Sequence, residues 1–396
     1  MNNYVSIDRY ILIENLIRLK FCFKRFSFMN VEVNKIPMDA PDDVVRLRSM
    51  IERGTIKVEN IAAIILKTEG NGNVNDFTRG FGMYAIQTML SEYLKCSRSE
   101  VSERISIVCS GGCEGVMSPH ATIFTKTDRS DEAYANNEKR LSIGVKNTRK
   151  LLPEEIGTII HVREIAQNVE EAMTLAKIRN VKDVHFVQVK CPLLTSDRIN
   201  EAHSRGKNVV TLDTLKSMAY SRGAAALGVA VALQEVDEQQ VNDSVICNDW
   251  SLYSSVASAS AGIELMNNEI IVMGNSKDAS SKFVIGHSAM SDPIDSLAIR
   301  AALRSVGINS DGELSEEDKQ KLVTVFAKAG VHPSGLVRSR RTTMLTDSDI
   351  SSTRHVRAVV NAVIASIVND PMVYVSGGSE HQGPLGGGPV AAIVSR

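Results

Sequence analysis

One five-residue pattern, S-[G/A]-G-x-E, occurs three times along this chain and constrains its fold more than any other feature. The copies begin at Ser110, Ser260 and Ser376, and each follows an apolar run that is typical of a β-strand. An internal repeat of this kind indicates that one structural unit has been duplicated, and it determines the architecture before any single motif is considered. The sequence therefore predicts three related units within one chain.

Two further residue types recur before each serine, in the same order. An arginine opens a predicted helix, at Arg79, Arg222 and Arg354. Further upstream a lysine ends another apolar run, at Lys67, Lys190 and Lys328. Since one more strand follows each serine, every unit reads β-α-β-α-β-β, with the lysine on its second strand and the serine on its third. We therefore predict an α/β fold of three similar units around a pseudo-threefold axis, with an active site at the centre.

The repeat divides most of the chain into units of ordinary domain size. We place these units at residues 31–155, 156–282 and 283–396. Helix-start signals predict that the first helix of each unit begins within residues 36–43, 162–168 and 287–293. The spacing from lysine to serine differs between the units, so the three copies have diverged and can have different roles.

Residues 1–30 do not fit the repeat, and we interpret them as an N-terminal extension outside the functional fold. The apolar stretch from Tyr10 to Phe28 is interrupted by Arg18, Lys20 and Lys24. A signal peptide needs an uninterrupted apolar segment, so secretion is not predicted. The first unit begins just after Met29, which is consistent with a translation start at that residue.

The composition and net charge of the chain exclude some classes of binding partner. The chain has 396 residues, 43% hydrophobic content and a net charge of −1, so neither a nucleic acid nor an anionic membrane is expected to bind it. No apolar run approaches the roughly 20 residues that span a bilayer. The six cysteines show no CxxC spacing, which is typical of reduced thiols, and we expect a cytoplasmic protein.

The recurring residues suit acyl-transfer chemistry. A serine hydroxyl becomes a nucleophile when a base accepts its proton, and burial lowers the pKa of a lysine enough for its amine to be that base. The glycine of the pattern allows backbone amides to approach a carbonyl oxygen, and a guanidinium binds planar acceptors. A single lysine or arginine of this kind is usually solvated or ion-paired at the surface, so the threefold recurrence carries the argument.

Three other candidate motifs, for zinc, for phosphate and for a nucleophilic cysteine, are weak. No H-x-H or HExxH spacing is present, so catalytic zinc is not predicted. Gly386 to Gly388 lack the Gly-Lys-Ser/Thr of a phosphate loop. Cys113 lies inside the first copy of the pattern but is absent from the other two, and we interpret it as a packing residue.

Longer strings around these residues resemble the cyanuric acid hydrolase/barbiturase family, and more closely its cyanuric acid branch. The resemblance extends from about Val31 to the C-terminus. The strings are Lys67–Arg79, Ser110–His120, His185–Leu194, Asn248–Leu265 and Val375–Pro384.

The resemblance implies that the protein opens cyanuric acid to 1-carboxybiuret, which loses CO2 to give biuret, in s-triazine degradation. It implies Ser260 as the nucleophile and Lys190 as the base of a Ser-Lys dyad. The residues alone do not single out the second unit, and Ser258 is a rival on the same strand face. The implied substrate-binding residues are Lys67, Arg79, Ser110, Gly111, Arg222, Ser260, Ala261, Lys328, Arg354, Ser376 and Gly377.

The resemblance further implies a homotetramer that needs no cofactor for catalysis but holds a structural Mg²⁺ or Ca²⁺. One position departs from the family, because Gly330 stands where a glutamate is usual. The implied metal ligands are Ser379, Gln382, Gly383, Pro384 and Gly387.

Two alternatives stay open. A barbiturase would use the same residues to open barbituric acid to ureidomalonate. A non-catalytic protein that binds small molecules could also be built on the same repeat, and it would keep its role after Ser260→Ala.

Overall fold

The computed structural model describes residues 27–129, 138–309 and 312–396. Most of the predicted N-terminal extension, residues 1–26, lies outside them. Three four-stranded mixed sheets form the framework, and all three have the same strand order when the strands of each sheet are numbered along the chain, namely first-fourth-second-third. The three predicted α/β units are therefore confirmed, and they surround a common centre.

The first unit begins three residues earlier than predicted, because its first strand starts at Phe28 and buries Met29. Its strands are β1 (Phe28–Pro37), β2 (Ile61–Thr68), β3 (Ser106–Gly111) and β4 (His120–Arg129). Its helices are α1 (Val45–Glu52), α2 (Phe77–Leu94) and α3 (Arg98–Arg104).

The second unit begins before the predicted boundary at residue 155, because its first strand pairs with a later strand of the same sheet. Its strands are β5 (Arg140–Asn147), β6 (Val184–Pro192), β7 (Ala257–Gly262) and β8 (Glu269–Ser276). Its helices are α4 (Ile159–Leu175), α5 (Ser196–Ser204) and α6 (Thr214–Ala232).

The third unit carries an additional short hairpin, β11 (Leu336–Val337) with β12 (Arg340–Arg341). The strands of its main sheet are β9 (Phe283–Met290), β10 (Leu322–Ala329), β13 (Tyr374–Gly377) and β14 (Gly388–Ser395). Its helices are α7 (Ser296–Ser305), α8 (Glu316–Lys321) and α9 (Ser352–Val368).

Each sheet has two apolar faces, which explains why its strands read as apolar runs. One face packs under the helices of its own unit. The other faces the molecular centre, where Phe124, Phe186 and Phe326 come from the three different units and join one core cluster. Rings of Phe186 and Phe326 lie 5.4 Å apart. The shared core fixes the three units relative to one another, since each would expose this face alone.

Two local predictions were wrong. Residues around Pro37 and Met290 end strands, and the helices that follow begin only at Val45 and Ser296. Arg222 does not open its helix but lies in the middle of α6. Among the described residues, no helix is long and apolar enough to cross a membrane.

Candidate active site

Strand register brings each lysine beside the serine of its own unit. The second and third strands of every unit run parallel, and they align Lys67 with Ser110, Lys190 with Ser260, and Lys328 with Ser376. All six residues are buried. The three serines and Lys190 line one central cavity. The cavity is lined by Gly72, Arg79, Ser110, Gly111, Lys190, Met218, Arg222, Ser260, Ala261, Arg357, Ser376 and Gly377.

Two of the three serines are hydrogen-bonded to their lysines. The Nζ atom of Lys67 donates to Ser110 Oγ at 3.3 Å, and that of Lys328 donates to Ser376 Oγ at 3.0 Å. Because the lysine holds the hydroxyl in both cases, these serines have fixed orientations. They are suited to position a ligand rather than to attack it.

The second unit differs. Ser260 Oγ is buried and has no hydrogen-bond partner among the described residues. Its neighbour Lys190 donates instead to the carbonyl of Cys109, at 2.8 Å, and lies 3.7 Å from the carboxylate of Glu264. A buried hydroxyl without a partner is costly unless a ligand or a reaction uses it. Ser260 is therefore the serine that the fold leaves available.

Burial lowers the pKa of all three lysines. The pKa of Lys67 falls to about 7, chiefly through desolvation and then through the charge of Arg357. Desolvation also lowers the pKa of Lys190, although Glu264 opposes it, and it lowers the pKa of Lys328 well below its usual value. Amines of this kind can be neutral near physiological pH and can accept a proton.

The glutamate that ends each pattern binds an arginine of another unit. Glu264 of the second unit accepts from Arg79 of the first at 2.5 Å, and Glu380 of the third accepts from Arg222 of the second at 2.7 and 2.8 Å. Glu114 of the first unit completes the cycle with arginines of the third. These glutamates orient the guanidinium groups, a role that sequence reasoning missed although the glutamate recurs in all three copies.

One predicted arginine is replaced by a neighbour in the structure. Arg357, one helical turn beyond Arg354, is 3% exposed, lines the cavity and makes two hydrogen bonds to Glu114, at 2.5 and 2.8 Å. The side chain of Arg354 is 40% exposed and reaches Glu114 only at 3.3 Å. A small residue follows Arg79, Arg222 and Arg357 but not Arg354. This signal could have indicated that Arg357 is the arginine that lines the cavity.

The pattern's third residue behaves differently in the second unit. Gly112 and Gly378 have φ values of +95° and +78°, which only glycine adopts without strain. Gly262 ends β7, and a side chain there would collide with Glu264 and approach Lys190 Nζ to 2.8 Å. This glycine therefore provides space for the lysine rather than a turn.

The other candidate nucleophiles, Ser258 and Cys113, are hydrogen-bonded elsewhere or protonated. Ser258 Oγ donates to Gln188 at 2.9 Å and does not line the cavity. Burial raises the pKa of the Cys113 thiol to about 11, so it stays protonated, and the side chain packs against the core of the third unit.

Several of the predicted cation ligands are engaged in hydrogen bonds within the protein. The side-chain amide of Gln382 is already bonded to the backbone of Ala259, Gly378 and Glu380. The carbonyls of Ser379 and Pro384 accept backbone bonds within the loop. Gly330 supplies no carboxylate, and a side chain there would displace Ser379 Oγ. The described residues contain no group of three potential metal-binding side chains, and Ca²⁺ or Mg²⁺ sites normally include carboxylates.

We therefore expect chelation to leave this protein unchanged. Dialysis against EDTA should shift the melting temperature by less than about 1 °C, since no ion that binds the native state is lost. Differential scanning calorimetry with and without added MgCl2 or CaCl2 measures this. Stabilisation that rises with either cation would contradict the argument from Gly330 and Gln382.

The chain is similar to a known family over nearly its whole length. Residues 32–395 match the family model described as amidohydrolase ring-opening protein. A cyanuric acid amidohydrolase of Enterobacter cloacae is 57% identical over 367 residues, which is 92% of this chain and 99% of the relative. One of Pseudomonas sp. strain ADP is 50% identical over 364 residues, 92% of this chain and 99% of the relative.

Solved structures show the same architecture. A cyanuric acid hydrolase described as an innovation by structural concatenation superposes with a TM-score of 0.89 at 48% identity, covering 93% of this chain and 100% of the other. A cyanuric acid hydrolase from A. caulinodans gives a TM-score of 0.85 at 46% identity, covering 93% and 99%. The chain belongs to the family of ring-opening amidohydrolases, hydrolases that act on the C–N bonds of cyclic amides.

Proposed function

We propose that this protein hydrolyses cyanuric acid, with Ser260 as the nucleophile and Lys190 as the general base. The single observation that carries the proposal is the asymmetry of the three lysine–serine pairs. Ser110 and Ser376 are held by their lysines, whereas Ser260 Oγ lies free beside a buried amine. The site therefore combines threefold recognition with one reactive position.

The shape of the cavity supports a ring with threefold polar edges. Arg79, Arg222 and Arg357 line it from three units, and each is oriented by a glutamate. Cyanuric acid has three carbonyl groups at equivalent positions, so each guanidinium can face one of them. A guanidinium that is already fixed loses little entropy when it binds an acceptor.

The reaction begins when Ser260 Oγ attacks a ring carbonyl carbon and its proton moves to Lys190 Nζ. The oxyanion that forms is held by backbone amides near Ser260 and Ala261. The tetrahedral intermediate collapses with cleavage of the ring C–N bond, and Lys190 returns the proton to the departing nitrogen. This gives a carbamoyl ester on Ser260.

Water then attacks the ester carbonyl while Lys190 accepts a proton, and Ser260 Oγ leaves with that proton. The product is 1-carboxybiuret, a carbamic acid, and its loss of CO2 gives biuret. One water is consumed in the ring opening, and the enzyme returns to its starting state.

Barbituric acid is the second candidate substrate. It carries a CH2 group where cyanuric acid has an N–H, and the thioether of Met218 is an apolar group in the cavity wall that could face it. Its hydrolysis would give ureidomalonate by the same steps. The remaining lining is mainly polar, which favours the ring with more polar edges because an unpaired buried polar group costs about 1–3 kcal/mol.

The test is turnover of both substrates by the purified protein and by Lys190→Met, which keeps an unbranched side chain of similar length but removes the base. We expect the wild-type protein to open cyanuric acid with a kcat/KM at least roughly 100-fold above that for barbituric acid. Lys190→Met should abolish turnover of both.

The two other outcomes are distinct. Preference for barbituric acid would keep the mechanism and change the substrate. No turnover of either ring, together with tight binding of cyanuric acid by calorimetry, would favour a protein that only binds its ligand.

A further inference from the structure

In each unit, the antiparallel strand beside the lysine places a different residue opposite it. On the antiparallel side, Lys67 pairs with His120 and Lys190 pairs with Glu269. In the third unit the ladder of β10 and β14 ends one residue before Lys328, next to Pro389. Only the second of these three positions therefore holds a carboxyl group beside the lysine.

The side chain of Glu269 is buried on the same face of the sheet as the side chain of Lys190. Directly opposed residues of antiparallel strands project from the same face of the sheet. Both side chains reach strand β3 of the first unit, where Lys190 Nζ donates to the carbonyl of Cys109 and Glu269 accepts from Ser106 Oγ at 3.1 Å. Glu269 is 8% exposed and Lys190 is fully buried.

We propose that Glu269 is a positioning residue that controls the charge of Lys190, and that it thereby makes the second lysine–serine pair different from the other two. The proposal rests on the function proposed above, in which Lys190 is the base for Ser260. The reaction steps given there do not use Glu269, and Glu269 forms no ion pair with any residue that the structure describes.

The groups around this carboxyl are few. Strand β6 contributes Lys190, strand β3 contributes Ser106 and the Cys109 thiol, and the turn after β7 contributes Glu264. On the other side, β5 contributes the uncharged Asn147. Arg79 adds a positive charge near Lys190 but is bonded to Glu264. Of the two glutamates, Glu269 is therefore the one whose charge changes with pH near neutrality, since Lys190 and Arg79 lower the pKa of Glu264 and keep it an anion.

The sign of the effect follows from these charges. Burial raises the pKa of Glu269 to about 7, and the hydrogen bond from Ser106, the charge of Lys190 and the backbone N–H of Ile107 oppose that rise. Below this pH the carboxyl is neutral and stabilises the protonated amine of Lys190 only weakly. Above it the carboxylate favours protonated Lys190, which raises the pKa of that lysine. Glu269 therefore retains a proton on Lys190 to higher pH than the other surroundings would.

The experiment is Glu269→Gln, which keeps the shape and the acceptor for Ser106. We expect the acid limb of the kcat/KM–pH profile to move to lower pH by about one unit, with KM on the plateau within about twofold. Glu269→Asp retains the charge and should leave the limb close to its wild-type position. A purely structural role would lower kcat/KM by the same factor at every pH and leave the limb in place.

The matched control lies in the first unit. His120→Gln alters the equivalent position beside Lys67 and should not move the acid limb. An unchanged limb in Glu269→Gln, or an equal shift in His120→Gln, overturns the proposal.

A second readout does not depend on turnover. In protein with ¹³C-labelled lysine, the Cε resonance that disappears in Lys190→Met belongs to Lys190, and its titration midpoint reports the charge directly. The midpoint should be lower in Glu269→Gln than in wild type, even if the protein turns over neither ring. Failure of the proposed function therefore appears in the assay, and failure of this inference appears as an unchanged midpoint.

Discussion

Replacing Ser260 by alanine is expected to lower kcat by roughly four orders of magnitude or more, because the group that forms the covalent intermediate is removed. The substitution should not affect folding, since Ser260 Oγ makes no hydrogen bond within the described part of the chain that could be lost. Steady-state kinetics on cyanuric acid measure the loss, and calorimetry of the variant should still show ligand binding.

Ser110→Ala and Ser376→Ala are the matched controls, because these serines have the same register beside their lysines. Each should raise KM while kcat stays within about tenfold of wild type, as expected for residues that position the ring. If either control loses as much kcat as Ser260→Ala, the free hydroxyl does not identify the nucleophile. Equal losses of kcat in all three variants would mean that the three serines contribute equally to the reaction.

Much of the fold follows from the threefold recurrence. The lysine and serine of each unit were expected on its second and third strands along the chain, and the parallel register of these strands places each pair side by side. This succeeded because apolar runs identify buried strands, and because three copies of one pattern limit the error in any one of them.

The boundaries of helices and units were less predictable. Pro37 and Met290 lie where a strand ends, and the loops that follow delay the next helix to Val45 and Ser296. Local signals for a turn and for a helix start use the same residues, so they do not determine how long the connection is. The strand β5 pairs with β8 far along the chain, and no local signal reports such a partner.

The difference between the three pairs could not be read from the sequence either. It depends on where the Nζ atoms point. Lys67 and Lys328 reach their own serines, whereas Lys190 donates to a carbonyl of the first unit. A lysine has four side-chain torsions, so tertiary packing rather than its position on the strand decides its partner. Only the assembled centre shows which serine remains free.

The arginine of the third unit gives the second large effect. Arg357→Lys is expected to lower kcat/KM for cyanuric acid by roughly 100-fold. The shorter, non-planar ammonium cannot make both bonds that Arg357 makes to Glu114, so it cannot be held in the same place over the cavity. Kinetics measure the loss, and the melting temperature of the variant shows whether the fold persists.

Arg354→Lys makes the same change one helical turn away, on a side chain that is 40% exposed. An exposed ion pair contributes little, so kcat/KM should stay within about threefold of wild type. The opposite ranking would restore Arg354 as the binding residue and would mean that α9 turns when the ring enters. The expected ranking instead follows from the cycle of arginines and glutamates. Each unit gives one buried guanidinium to the glutamate of the next, and in the third unit only Arg357 is buried deeply enough to complete that exchange.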